Sequence, residues 1–435
     1  MLVTGRLVLA FAVAAIVVAV AAPSVTGMVV VNSILLAVAA VDAALAGSPR
    51  RLSLRRSGDT TVRLGEAARV TLTATNDCRR RVRGVLRDAW VPSAGAAVTR
   101  HRLDLAPGAT ARITTELVPT RRGDRPADRV TVRCLGPLGL AGRQASYAVP
   151  WSVRTLPPFT SRKHLPSRLA RLRELDGRTA VMVRGQGTEF DSLREYVVGD
   201  DVRSIDWRAT ARAADVMVRT WRPERDRRIL VVLDTGRTSA ARLGSGAGSQ
   251  TRLDAEMDAA LLLAALASRA GDRVDLLAYD RQVRADVRGV PATELLPALV
   301  QAMTPLEPEL LETDARGLVA AVTGRVRQRA LVVLLTALEP SALEEGLLPV
   351  LPALTARHQV VLAAVRDPRL DEMAAQRGDL EAVYEASAAA TALTARDRAE
   401  QLLRRLGVEV VDAGPDELAP RLADAYLALK AAGRL

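Results

Sequence analysis

Apolar and polar positions follow four different rhythms along this chain, and each rhythm predicts a different element. Residues 7–22 carry no charged or polar side chain, Pro23 and Ser24 interrupt, and residues 25–46 continue with Asp42 as their only charge. A membrane-spanning helix needs about 20 apolar residues, so the second run is long enough and the first is slightly short. A short apolar run after Arg6 also fits a signal peptide, but the second run directly behind it favours a helical hairpin in a membrane.

From about residue 52 to residue 154 the period falls to two. Residues 70–75, 111–117 and 130–134 alternate apolar with polar and are rich in β-branched side chains. Pro92, Pro107 with Gly108, Arg122 with Gly123, and Gly136 with Pro137 punctuate them as turns. Short strands so spaced predict an immunoglobulin-like sandwich of about 100 residues. It carries no chemistry and reads as a spacer or docking domain.

Pro157 and Pro158 close that region, and residues 165–176 predict a short basic helix. A dense polar stretch follows, with Gly185, Gly187, Glu189, Phe190, Arg194, Tyr196, Gly199, Asp200, Asp201, Arg203, Asp206, Trp207 and Arg212. Beyond Arg228 the fourth rhythm sets in. Residues 229–233 form an apolar run ending at Asp234, residues 253–270 predict an amphipathic helix closed by Gly271, and 274–279 the next strand. Helices over 314–327, 394–406 and 417–431 and strands over 330–335, 359–365 and 408–411 complete the alternation. Continuous apolar strands separated by helices predict a doubly wound, Rossmann-type α/β sheet covered on both faces. The expected organisation is multidomain: a two-helix transmembrane hairpin (1–47), the sandwich (48–156), a basic linker with the polar motif (157–228) and the α/β domain (229–435).

Charge adds an orientation. Arg6 precedes the first apolar run and Arg50, Arg51, Arg55 and Arg56 follow the second, while the turn between them has no basic residue. The positive-inside rule then puts both termini, and everything after residue 47, in the cytoplasm. Asp42, near the inner end of its helix, reads as interfacial rather than as a functional intramembrane carboxylate. Residues 1–228 hold 38 basic and 20 acidic side chains, and residues 229–435 hold 23 and 29. A basic membrane-proximal half makes membrane lipids an expected partner. Nucleic acid is not one, because aromatic residues are only 3% of the chain and no nucleic-acid motif is present.

Candidate chemistry is sparse. Cys78 and Cys134, with His101, His164 and His358, make neither a disulfide framework nor a zinc site, and read as buried structural thiols and scattered imidazoles. Gly185 and Gly187 lack a third glycine and a surrounding parallel βαβ unit, and no Gly-x-x-x-x-Gly-Lys occurs, so the chain has no P-loop. No nucleophile-and-base arrangement is legible, which argues against an enzyme. Asp200, Asp201, Arg203 and Asp206 admit two readings. They are either a self-contained ion-pair and turn network, or, with Gly199 and Trp207, a recognition surface for another protein. An Asp-rich turn beside a tryptophan and several arginines is costly to bury without a purpose.

Ligands of doubly wound sheets bind beyond the carboxyl ends of the strands, where Asp234 stands, followed by Gly236 and Thr238. Asp-x-Ser-x-Ser at that place marks the metal-ion-dependent adhesion site of von Willebrand factor A domains, which the α/β domain resembles. With the polar block from Gly185 to Trp207, and with the order of membrane helices, β-rich segment and von Willebrand A-like end, the whole chain resembles the bacterial "domain of unknown function 58" family. The resemblance implies a degenerate metal site. Asp234 and Thr238 match the pattern, and Thr313 stands in the second loop. Gly236 replaces the first serine, and Thr336 with Ala337 stands where Thr/Ser-Asp is expected. Mg2+ wants hard oxygens in octahedral array, so the missing hydroxyl and carboxylate weaken such a site; the alternative is that Asp234 caps the strand end or the next turn. The resemblance also implies a non-catalytic scaffold working with a MoxR-type AAA+ ATPase to assemble or mature membrane or envelope complexes. A metal-dependent adhesion receptor of the cell surface is the competing expectation. It needs an intact metal site and an external C-terminus, and the arginine flanks argue against the latter.

Overall fold

The computed structural model describes residues 2–21, 24–182, 189–198, 200–213, 215–222, 227–244 and 250–435. Contacts divide the chain into two compact units, Met1–Leu156 and Pro157–Leu435.

The first unit opens with strand β1 (Leu2–Val3), helix α1 (Gly5–Ala21) and helix α2 (Val25–Leu45), whose first turn is capped by the Ser24 hydroxyl accepting from the Gly27 N–H. Val13, Ile16 and Val17 of α1, and Val29, Ile34 and Val41 of α2, are exposed. So large a continuous apolar surface is a surface for lipid or protein rather than water. By length and composition one helix, Val25–Arg51 with mean hydropathy 2.2, can cross a membrane, whereas Gly5–Ala21 is shorter.

Nine strands follow: β2 (Leu52–Gly58), β3 (Thr61–Arg63), β4 (Ala68–Asn76), β5 (Val82–Trp90), β6 (Arg100–Leu105), β7 (Thr110–Leu117), β8 (Gly123–Leu135), β9 (Ala141–Ala148) and β10 (Ser152–Leu156). They form two sheets, β2-β4-β7 and a larger one around β8, with β1 paired to the edge of β9. Alternate residues face one core, including Leu72, Ala74, Leu86, Ile113, Val130 and Val132. Within it Asp88 is paired to Arg56 and accepts from the Trp90 indole at 3.2 Å and the Thr115 hydroxyl at 3.4 Å. Cys78 and Cys134 are free and buried, and burial pushes the Cys134 thiol up to about 12.

In the second unit the basic segment is bonded down rather than trailing. The Thr160 hydroxyl and the Ser161 N–H and hydroxyl donate to Asp258, and helix α3 (Leu165–Met182) reaches Asp424 through Arg168 and Arg171. Strands β11 (Glu189–Glu195) and β12 (Met217–Arg222) then pair antiparallel, with the single-turn helix α4 (Trp207–Thr210) between them.

The remaining elements are β13 (Arg228–Asp234), the short ladder β14 (Arg242–Leu243) with β15 (Gln250–Thr251), α5 (Arg252–Arg269), β16 (Arg273–Tyr279), β17 (Val283–Val287), α6 (Ala292–Met303), α7 (Ala315–Arg325), β18 (Leu331–Leu335), α8 (Pro340–Ala342), α9 (Pro352–Thr355), β19 (Gln359–Val365), α10 (Pro368–Ala375), α11 (Leu380–Arg405), β20 (Val408–Ala413) and α12 (Pro415–Ala431). The sheet order is β17-β16-β13-β18-β19-β20, parallel except for the edge strand β17. Helices α5 and α12 cover one face and α7 with α11 the other, which is why residues 229–233 are apolar without alternation. Strand order reverses beside β13, so the crevice between the ends of β13 and β18 is the switch point of the sheet.

Three elements differ from expectation. Helix α11 starts at Leu380 rather than near 394, because Leu380, Val383 and Tyr384 are exposed and leave no apolar stripe, while alanine and the Asp379 cap supply the helix. The edge strand β17, which alternates apolar and polar residues, and helix α6, which buries Leu295, Leu299, Val300 and Met303 on one face, are further elements outside the expected set.

Candidate functional site

Asp234 is the first polar residue after the buried run of β13, and it meets two loops. Its Oδ1 accepts from the Gly236 N–H at 2.9 Å and the Thr313 hydroxyl at 2.5 Å, and its Oδ2 from the Thr336 hydroxyl at 2.6 Å. Burial pushes the carboxyl above its ordinary value, the three donors partly offset this, and nearby Asp280 adds to the rise. Gly236 has an ordinary φ of −77°, so its lack of a side chain is a matter of room. A Cβ there would lie 2.0 Å from the Thr313 hydroxyl. The serine missing at 236 therefore could not coexist with Thr313 in this position.

Behind this point three residues complete the site, none of them anticipated. Asp280, at the end of β16, accepts from the Thr235 hydroxyl at 3.1 Å and from Arg284 at 2.6 Å. Burial acts to raise its carboxyl, but Arg284 and the Arg281 and Gln282 N–H groups outweigh it and hold the carboxyl below its ordinary value. Arg252, buried at the start of α5, donates to the Thr238 carbonyl at 2.5 Å and reaches Glu339 at 3.3 Å, joining the first loop to the third. One turn on, Glu256 is fully buried and neither of its carboxylate oxygens has a partner among the described residues. Burial pushes its carboxyl well up, opposed by Arg252 and aided by Asp234. Asp280 could have been found by the rule that found Asp234, the first acid after a buried strand. Arg252 and Glu256 sit in an ordinary helical pattern and send no such signal.

Asp234, Thr238, Thr313 and Thr336 line one cleft of about 440 Å³, floored by Leu318, Leu334, Leu343 and Leu347 and edged by the Arg237–Glu312 ion pair. Its wall includes a π-helical turn, Leu343–Leu347, a distortion that is rare and frequent at functional sites. The oxygens are of the hard type a Mg2+ ion takes, but the set has one carboxylate with both oxygens already engaged. No group of three or more acidic, histidine or cysteine residues able to hold a metal exists among the described residues. The residues present do not fit a tightly held divalent ion.

The polar segment is organised by its aspartates. Asp200 accepts from Arg194 at 2.5 Å and the Val197 N–H at 3.0 Å, and Asp201 caps the turn Val202–Ser204 through the Arg203 N–H. Asp206 caps α4 through the Arg208 and Ala209 N–H groups and pairs with Arg219 at 2.8 Å, which holds its carboxyl below the ordinary range. These bonds run within the segment, although Asp201 itself stays exposed. What faces outward is different: Val198 is 95% exposed, Val202 64% and Trp207 68%, with Arg203, Arg208 and Arg212 exposed beside them. Gly199, Gly185 and Gly187 lie outside the described residues.

A family model described as "Protein of unknown function DUF58" matches residues 192–414, from β11 to the end of β20. No curated protein matches. Among solved structures, the chain is similar to the CARDB domain of a Pyrococcus furiosus protein in complex with di-metal ions (15% identity, 24% of this chain and 86% of that one, TM-score 0.18). It is also similar to a fragment of Escherichia coli alpha-2-macroglobulin (18% identity, 26% and 18%, TM-score 0.20). A Vibrio harveyi GH20 exo-beta-N-acetylglucosaminidase aligns over 83% of this chain and 75% of its own, at 12% identity and TM-score 0.21. Likenesses at that level carry no inference about activity.

Proposed function

We propose, from the premise that this chain belongs to the DUF58 family, that it is a non-catalytic, membrane-anchored binding protein. It works with a MoxR-type AAA+ ATPase in the assembly or maturation of membrane or envelope complexes. The hairpin crosses the membrane twice, with the arginine-flanked ends, the sandwich and the whole second unit in the cytoplasm, and the α/β domain is von Willebrand A-like.

One observation carries the binding role. The aspartates of the polar segment hold a surface in shape, and that surface presents Trp207, Val198 and Val202 among arginines. Tryptophan and arginine are the side chains that dominate protein–protein binding energy, and a single anchor of this kind contributes about 2 kcal/mol or more. The test is binding of the purified full-length chain, in detergent, to the purified MoxR-type ATPase of the same cell. Trp207→Ala is expected to weaken it about tenfold or more, and Asp234→Asn to leave it within about twofold. No binding by the unaltered chain removes the ATPase from the reading, and equal binding by Trp207→Ala removes this surface. Protease protection in sealed vesicles tests sidedness, and a C-terminal unit on the outer face would overturn the cytoplasmic placement.

A further inference from the structure

Asp42 joins the hairpin to the sandwich. It lies in α2, three residues before the helix ends at Leu45, and is almost completely buried. Its Oδ1 accepts from the Leu138 N–H at 2.8 Å, and its Oδ2 from Leu140 at 2.8 Å and Ala141 at 3.0 Å. These donors belong to the turn between β8 and β9. The turn is shaped around the carboxylate, since a Cβ at Gly136 would lie 2.3 Å from Asp42 Oδ1. The Thr4 hydroxyl bonds the Gly139 and Leu140 carbonyls, β1 pairs with the first residues of β9, and Leu7, Ala39, Ala43 and Ala141 close a small apolar cluster.

This fixes a depth. Three residues of helix rise about 4.5 Å, so Asp42 sits that far inside the end of α2. The helix's 21 residues span about 30 Å, the thickness of the hydrocarbon core. A turn bonded to Asp42 is therefore level with the edge of the bilayer. At its tip Pro137 is exposed and Leu138 is 58% exposed, an apolar pair set against an apolar hairpin. Basic side chains stand around it: Arg6 next to Gly139, Arg80 donating to the Ala44 carbonyl at 2.7 Å, and Arg50 and Arg51 in the turn that follows α2. Exposed acids share that side of the sandwich: Asp77, whose N–H bonds the Arg51 carbonyl, and Asp104, paired with Arg81.

We propose that the turn 136–141 is a lipid-contact element: its Pro137 and Leu138 tip enters the headgroup layer, and Arg6, Arg50, Arg51 and Arg80 take the phosphates of anionic lipids. The inference rests on the hairpin's being in the membrane, and deepens it from an anchor to a seat for the sandwich. Arginine at this depth is drawn to an anionic surface and can bond phosphate with two N–H groups at once.

The experiment uses the full chain in lipid nanodiscs, with a thiol-reactive environment-sensitive fluorophore at Leu138→Cys. Cys78 and Cys134 are buried, so the introduced thiol takes the label. Val13→Cys, on the exposed face of α1, reports the bilayer, and Glu66→Cys, at the far end of the sandwich, reports water. The Leu138 label is expected to be blue-shifted relative to Glu66 and quenched by lipids brominated near the headgroup. A water-like Leu138 signal with a lipid-like Val13 signal overturns the inference and leaves the anchor standing, whereas water-like signals at both remove the anchor as well. In nanodiscs mixing phosphatidylcholine and phosphatidylglycerol, the Arg6, Arg50, Arg51 and Arg80→Gln variant is expected to retain less phosphatidylglycerol in native mass spectrometry. Equal retention overturns the phosphate sites.

Discussion

Asp42 and Asp234 are both buried carboxylates, and each accepts three hydrogen bonds from its own chain. Their donors differ in kind. All three at Asp42 are backbone N–H groups of one turn, fixed in direction by the fold. At Asp234 only Gly236 contributes backbone, and the other two donors are threonine hydroxyls that can rotate and, once rotated, accept. Donors that cannot turn away make a joint. Donors that can turn away leave a group able to exchange partners, and Asp234 opens on a cleft.

The joint should fail hardest. Asp42→Ala strands three backbone donors, at a cost of about 3 kcal/mol or more, and Gly136→Ala drives a Cβ into the same carboxylate. Both variants are expected to release the turn 136–141 to proteolysis and lower the denaturant midpoint of the first unit. A wild-type midpoint in Asp42→Ala would show that the turn does not depend on the carboxylate. At the other site the collision is softer. Gly236→Ser should destabilise by about 2 kcal/mol through crowding of Thr313, and adding Thr313→Ala should recover most of it. Additive losses in the double variant would mean that 236 and 313 do not share the space.

Glu256 supplies a smaller and pH-dependent effect. Its folded carboxyl titrates above the ordinary value, so folding takes up a proton. The stability it contributes is complete below the unfolded value of about 4.3 and is lost as pH rises through the folded value. Glu256→Gln should flatten that fall, making the variant the more stable protein at pH 8 and about equal at pH 4, read from denaturant midpoints. An unchanged slope would place the proton elsewhere.

Much of the α/β unit was legible because its strands are covered on both faces and must be apolar throughout; Asp234 announced itself by ending such a run. The polar segment was legible only as a location. Its aspartates drew attention because acids beside a tryptophan are conspicuous, yet the structure spends Asp200, Asp201 and Asp206 on the chain's own N–H groups and arginines and turns Val198 and Trp207 outward. No pattern could separate these roles, since capping and recognition use the same residue types. From the sequence Asp42 shows only as an interfacial charge, because its three partners are about a hundred residues away and long-range backbone donors leave no trace in local composition. Gly236 read as a lost ligand for the same reason: the hydroxyl that fills its place belongs to Thr313.

The metal question tests the comparison at its weakest point. If the hydroxyls of Thr313 and Thr336 stay on Asp234, millimolar Mg2+ should leave the thermal midpoint of the full chain unchanged, because one engaged carboxylate cannot offset the cost of stripping water from a divalent ion. A tight site would be unmistakable, since an ion at a hundred times its dissociation constant stabilises by about 2.7 kcal/mol. Ala337→Asp places a second carboxylate on the third loop beside the cleft and is expected to create a Mg2+-dependent rise that Asp234→Asn abolishes. Should the unaltered chain respond to Mg2+, and lose the response in Thr313→Val, the hydroxyls are ligands that had turned inward in the ion's absence. The contrast between a fixed joint and an exchangeable site would then be sharper than the bonds at Asp234 alone suggest.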